Sequence, residues 1–240
     1  MGMKKLYQKS ELVFSLLWIG AYIALLSVAD AISAQTQTEK LLTAPLCVAL
    51  TGFLLIWLKK ERLTAFYGLK KAHFPHKIYL FFLPLVLLVS VNLWGGVLID
   101  LSPAETALYI ISMLCVGFLE EVIFRGFLFK ALCKENVQRA IIVSSLTFGF
   151  GHIVNLLNGA DFLPTLLQII YAVSGGYLFT IIFHRSGSLL PCIAAHSLLN
   201  SLSVFSAQPS PAMEIISAAA LTLVAFLYAR HIEKSVKTQL

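Results

Sequence analysis

Two carboxylates and a guanidinium, Glu120, Glu121 and Arg125, fall within six positions of an otherwise apolar stretch. A single charge at the centre of a bilayer costs about 3 kcal/mol on insertion scales. Three such groups must therefore be paired, hydrated or used. Glu121 and Arg125 are four apart, so on a helix they share a face and can pair. Glu120 is rotated by about 100° from Glu121 and is left without that partner. The spacing predicts Glu121 and Arg125 as the pair that holds a site in shape, and Glu120 as the group that does chemistry. A carboxylate sheltered from water can act as a general base.

Two further clusters repeat the spacing of four: Phe148 with His152, and His196 with Asn200. Each pair shares one helix face. An imidazole or an asparagine amide can donate to a developing oxyanion, and one such donor is typically worth about 3 kcal/mol. A lone histidine in an apolar helix is also a common hydrogen-bonded packing residue. Six polar groups on three separate apolar runs weigh against that reading for the whole set.

The elements that must position these groups follow from the totals. The chain has 240 residues, of which 58% are hydrophobic and 12% charged, against about 25% charged in a soluble domain. Apolar runs near membrane-spanning length recur throughout. They cover residues 12–29, 41–58, 78–99, 106–129, 140–157, 164–183, 188–205 and 213–228. The expected fold is all-α: one polytopic bundle of about eight transmembrane helices, a single domain over residues 1–240, with the motif-bearing core at about 106–205. Ser102, Pro103 and Glu105 resemble a helix start, and Pro84 is placed to kink the third run. The first run also reads as a signal peptide with a small-residue site near Ala29, but it exceeds the usual apolar length, which favours a retained helix.

The net charge of +6 comes from 18 basic and 12 acidic residues. An even number of crossings puts both termini on one side. Seventeen of the basic residues then fall on that side and only Lys40 on the other. The positive-inside rule makes that side the cytoplasm, so the expected protein is a multi-pass component of the cell membrane, with no nucleic acid among its partners. Trp57 and Tyr79 are expected in the inner aromatic belt and Trp94 in the outer one. Phe66 and Tyr67 suggest a loop lying on the membrane surface. His73 and His76 read as a solvated loop rather than a metal site. The four cysteines are scattered, without a C-x-x-C pair, and read as small apolar residues. Counting 1.5 Å per residue from the run ends puts Glu120, His152 and His196 at compatible depths. This predicts one water-filled cavity in the inner half of the membrane, opening toward the cytosol.

In this order on separate runs, Glu120-Glu121-x-x-x-Arg125, Phe148-x-x-x-His152 and His196-x-x-x-Asn200 resemble the CAAX-processing and bacteriocin-processing (CPBP, or Abi) intramembrane proteases, which include the type II CAAX prenyl endopeptidase. The resemblance implies peptide-bond hydrolysis inside a helical bundle, on a prenylated or other hydrophobic peptide. It implies Glu120 as the base that activates water and His152 as the group that orients that water or carries its proton. It implies His196 and Asn200 as the oxyanion donors, with Glu121, Arg125 and Phe148 supporting them. The family is often labelled a metalloprotease. Glu120, His152 and His196 are chemically adequate ligands for one zinc ion, but the H-E-x-x-H arrangement is absent.

Two other readings stay open at this point. Intramembrane acids and histidines also line transporters and proton relays, although no inverted repeat is visible. A non-catalytic membrane protein that sequesters a bacteriocin or scaffolds a complex would carry the same runs.

Overall fold

The computed structural model describes residues 2–71, 82–207 and 209–235. His73, His76 and Tyr79 lie outside the described residues. The fold is a helical bundle, and among the described residues the β-structure is a lone bridge between Val97 and Ser206. The helices are α1 (Met3–Lys9), α2 (Glu11–Gln35), α3 (Thr43–Lys60), α4 (Leu83–Val89), α5 (Pro103–Glu120), α6 (Lys130–Cys133), α7 (Val137–Gly151), α8 (Val154–Leu157), α9 (Phe162–Ser186), α10 (Leu190–Leu202) and α11 (Pro211–Ser235). A π-helical segment, Glu121–Phe129, joins α5 to α6 in one continuous rod.

Among the described residues, six of the eight expected spans are long and apolar enough to cross a membrane, with Pro103–Cys133 and Val137–Leu157 each counted as one. In the third and seventh runs the described residues hold the shorter apolar helices Pro84–Leu93 and Leu190–Phe205. The third ends early because Gly95 and Gly96 follow it, and Gly96 takes a positive φ of 113° that a helix does not tolerate. Pro84 sits in the first turn of α4 and starts the helix instead of kinking it, since its missing N–H is unpaired there anyway. At thirteen residues, α10 is about 20 Å long. It is held inside the protein by α5 on one side and α4 on the other.

Local sequence sets the ends. The Ser102 hydroxyl accepts from the Glu105 N–H while the Glu105 carboxylate accepts back from Ser102, a complete capping box. Ser10 caps α2 through the Val13 N–H, and Asn136 caps α7 through the Arg139 N–H. α9 stops at Gly187, whose φ of 66° is left-handed.

Two glycines let the site helices touch. A Cβ on Gly117 would lie 2.6 Å from the Ser197 nitrogen, and one on Gly149 would lie 2.8 Å from the Val173 nitrogen. These crossings join α5 to α10 and α7 to α9 backbone to backbone, the close approach that small residues permit in membranes. Gly151 faces open space.

The end of the bundle that carries both termini is closed by aromatic rings. Phe14 stacks on Trp57 at 5.2 Å, and the Phe127 ring meets Phe14 at 5.1 Å and Tyr67 at 4.9 Å. The Tyr67 hydroxyl donates to that of Tyr7 at 3.0 Å. Trp57 and Tyr67 are 8% and 1% exposed, so neither belongs to the surface belt or surface loop expected of them. Ring pairs of this kind are worth about 0.5–1.5 kcal/mol beyond the area they bury.

Candidate active site

The continuous rod from Pro103 to Cys133 changes its winding at the expected chemistry. Up to Glu120 it is α-helical; from Glu121 to Phe129 its hydrogen bonds skip one residue further, and all nine residues of that stretch are buried. π segments inside α-helices concentrate at functional sites because the wider turn re-aims the side chains. Here it turns Glu121 and Arg125, both 0% exposed, into the bundle.

The expected pair forms. Arg125 Nη1 lies 3.0 Å from Glu121 Oε1, in an ion pair made off the hydrogen-bonding direction. The guanidinium also lies over the Phe148 ring, 4.0 Å from its centre, with Phe179 at 5.8 Å. A buried charge pair is retained only if further contacts offset its desolvation, and the two aromatic faces supply part of that. Phe148 thereby finds its role in the motif: it roofs Arg125 and sets its edge against both His152 and His196, at 5.4 and 5.6 Å between ring centres.

His196 bridges the two glutamates. Its Nδ1 lies 2.8 Å from Glu121 Oε1, and its Nε2 lies 3.4 Å from Glu120 Oε2. The Glu121 carboxylate, already paired with Arg125, accepts only, so Nδ1 carries the proton and donates. Nε2 faces the Glu120 carboxylate on the cavity side. Glu120 does not share Arg125; it has His196 beside it instead.

A residue missed in the sequence completes the arrangement. The Tyr22 hydroxyl, from the middle of α2, donates to Glu120 Oε1 at 2.9 Å. Tyr22 is 5% exposed. Its only signal in the sequence is a phenol amid an apolar run, where tyrosine is read as core or interface.

These side chains line a cavity of about 550 Å³, whose wall includes Tyr22, Glu120, Phe148, His152, His196 and Asn200. His152 stands where α7 ends and the chain turns into α8. The break takes His152 out of strict helical register with Phe148, yet leaves both on the cavity wall. All six polar residues expected at one place are there, four lining the cavity and Glu121 with Arg125 buried behind it.

The expected opening toward the side of the termini is corrected. The floor of the cavity is Phe124, Phe148 and Phe179, and beyond them lies the aromatic plug. The walls rise the other way, through Asp30, Asn92, Tyr109, Asn158 and Glu214, to the end opposite the termini. The depth count placed the polar groups but carried no information on which end the large rings fill. One basic residue also drops out of the charge count: Arg125 belongs to the site, not to a loop.

The zinc reading does not fit this arrangement. Among the described residues no group of three His, Cys, Asp or Glu side chains is disposed to hold a metal ion. Both nitrogens of His196 face carboxylates, so a metal on either would have to displace Glu121 or enter between His196 and Glu120.

Residues 102–202 match the model of a family described as Rce1-like, type II CAAX prenyl endopeptidase. The match spans all three motifs, and it bears out over those residues the resemblance to the CPBP intramembrane proteases. Neither a curated protein nor a solved structure matches the chain.

Proposed function

We propose that this chain, whose residues 102–202 are similar to the CAAX prenyl endopeptidases, is an integral-membrane endopeptidase that hydrolyses a peptide bond with water activated by Glu120. The observation that carries the reading is the run of contacts Arg125–Glu121–His196–Glu120, buried at the back and ending on a cavity wall.

In this reading the substrate carbonyl enters beside Glu120. Glu120 takes a proton from water as the oxygen attacks the carbonyl carbon. Tyr22 occupies Oε1 and so fixes which oxygen acts. That proton passes from Glu120 Oε2 to His196 Nε2, and Glu121 stabilises the imidazolium that forms because Nδ1–H already points at it. The Nε2–H and the amide of Asn200 then donate to the oxyanion. As the carbonyl re-forms and the C–N bond breaks, the same proton goes to the leaving amine, carried by His152 on the same wall. Phe148 and Arg125 keep Glu121 charged and in place. No step in this sequence needs a metal.

The purified full-length chain in detergent should cleave members of a hydrophobic peptide library, with cut sites mapped by mass spectrometry, and a chelator should leave the rate unchanged. Full activity of a folded Glu120→Gln variant would sink the reading. Loss on chelation with recovery on added zinc would replace the metal-free mechanism. Solute flux in vesicles without any cleavage would favour a transporter.

A further inference from the structure

The described wall of the cavity runs to the end opposite the termini, and the charge of the protein is divided along the same axis. At the open end lie Asp30, Glu39, Asp100, Glu105, Asp161 and Glu214, against the single basic residue Lys40. Lys40 is itself paired with Asp30 at 2.8 Å. Asp30 and Glu214 line the cavity, and among the described residues no lysine or arginine does. Among the described residues, fourteen other basic residues lie at the closed end. Two connections seal it further. The Leu189 N–H donates to the Gly68 carbonyl at 2.8 Å, and the Ser188 hydroxyl donates to the Lys70 carbonyl at 2.6 Å. These bonds tie the 61–71 segment beneath α10. Among the described residues, none from the closed face lines the cavity.

Loops rich in lysine and arginine stay in the cytoplasm. We infer that the closed end is cytoplasmic and that the site takes its substrate from the non-cytoplasmic face. The substrate class is then an exported peptide stretch bearing basic residues, not a C-terminus lipidated in the cytosol. This rests on the peptidase reading for the substrate and on the geometry alone for the direction of entry.

The dimensions suit an extended chain. Tyr109, high on the α5 wall, and Glu120, at the floor, are eleven residues apart, about 16 Å along a helix. An extended peptide covers that in about five residues at ~3.3 Å each. A scissile bond about five residues from the membrane surface, or from a free end, reaches Glu120. The acidic mouth attracts a cationic segment and repels an acidic one.

The test uses membrane vesicles of known orientation from cells expressing the full chain, and a quenched fluorescent peptide rich in lysine and arginine. Right-side-out vesicles should cleave the added peptide at least ten times faster than inverted ones. Equal rates, or faster cleavage by inverted vesicles, would overturn the inference. Entry is also read without activity. In a chain lacking its four native cysteines, Asn158→Cys and Ser217→Cys should react with a membrane-impermeant maleimide in intact cells. Labelling only after permeabilisation would overturn the direction of entry whatever the enzymology. If the cysteines label from outside and no peptide is cut even in detergent, the peptidase reading falls and the outward-facing cavity stands.

Discussion

The hydroxyl of Tyr22 donates a 2.9 Å hydrogen bond to Glu120 Oε1 across 98 positions of chain. It joins the first long helix, outside the stretch that matches the protease family, to the carboxylate at the centre of the site. Tyr22→Phe removes that bond and little volume. A hydrogen bond to a charged group is worth about 1.5–3 kcal/mol, so kcat should fall by about ten- to a hundredfold with KM nearly unchanged. Steady-state kinetics on a fluorogenic peptide would check this; an unchanged kcat would make Tyr22 a packing residue.

Glu120→Gln should lower kcat by about 10²–10⁴, the usual range for losing a positioned acid–base group. Because Glu120 lines the cavity wall instead of the core, the melting temperature in detergent should move little. Circular dichroism with thermal ramps would separate lost chemistry from lost fold.

The Glu121–Arg125 pair makes the opposite prediction. Both side chains are 0% exposed, so removing one leaves an uncompensated buried charge, at about 3–5 kcal/mol. Arg125→Met and Glu121→Gln should each lower the melting temperature sharply. The double variant should be more stable than Arg125→Met alone, since no lone carboxylate remains. It should still be inactive, because the neutral amide that replaces the Glu121 carboxylate does not stabilise the His196 imidazolium. Melting temperatures and peptide cleavage by the three variants check both halves of this.

Gly117→Val should disrupt the fold, since even its Cβ would collide with the Ser197 hydroxyl and lie 2.6 Å from that residue's backbone nitrogen. Overpacking of this kind costs about 1–3 kcal/mol or more. Gly151→Ala, which meets open space, should be tolerated. Melting temperatures of the two, compared in one detergent, test whether the α5–α10 crossing is as close as described.

Glu214→Lys reverses a charge on the cavity wall without touching Glu120, His152 or His196. For a basic peptide KM should rise several-fold while kcat holds, and the difference should shrink in high salt. An equal KM for basic and acidic peptides on the unaltered chain would remove the electrostatic part of the argument.

Much of this site is legible from spacing alone. Glu121 with Arg125 follows from the geometry of one helical turn, which any sequence with that spacing shares. The helix start at Ser102 follows from a capping box contained in four consecutive residues. Tyr22 is different: a phenol in an apolar run gives no sign of which distant carboxylate it will meet. The π segment also leaves no local mark, because its wider turn is held by the helices packed around it. Depth counting found the level of His196 and Glu120 but took the cavity to open on the wrong side, since the rings that close one end, Phe14, Trp57, Tyr67 and Phe127, come from four separate elements.

By itself the sequence determined that this chain lives in a membrane as helices and which polar side chains share a helix face. Those properties depend on composition and on neighbours three or four positions apart. Tertiary structure alone decided that His196 bridges Glu121 and Glu120, that Tyr22 completes the set, and that the cavity opens away from the termini. Each of these is a contact between residues far apart in the chain, and such contacts exist only once the helices have packed.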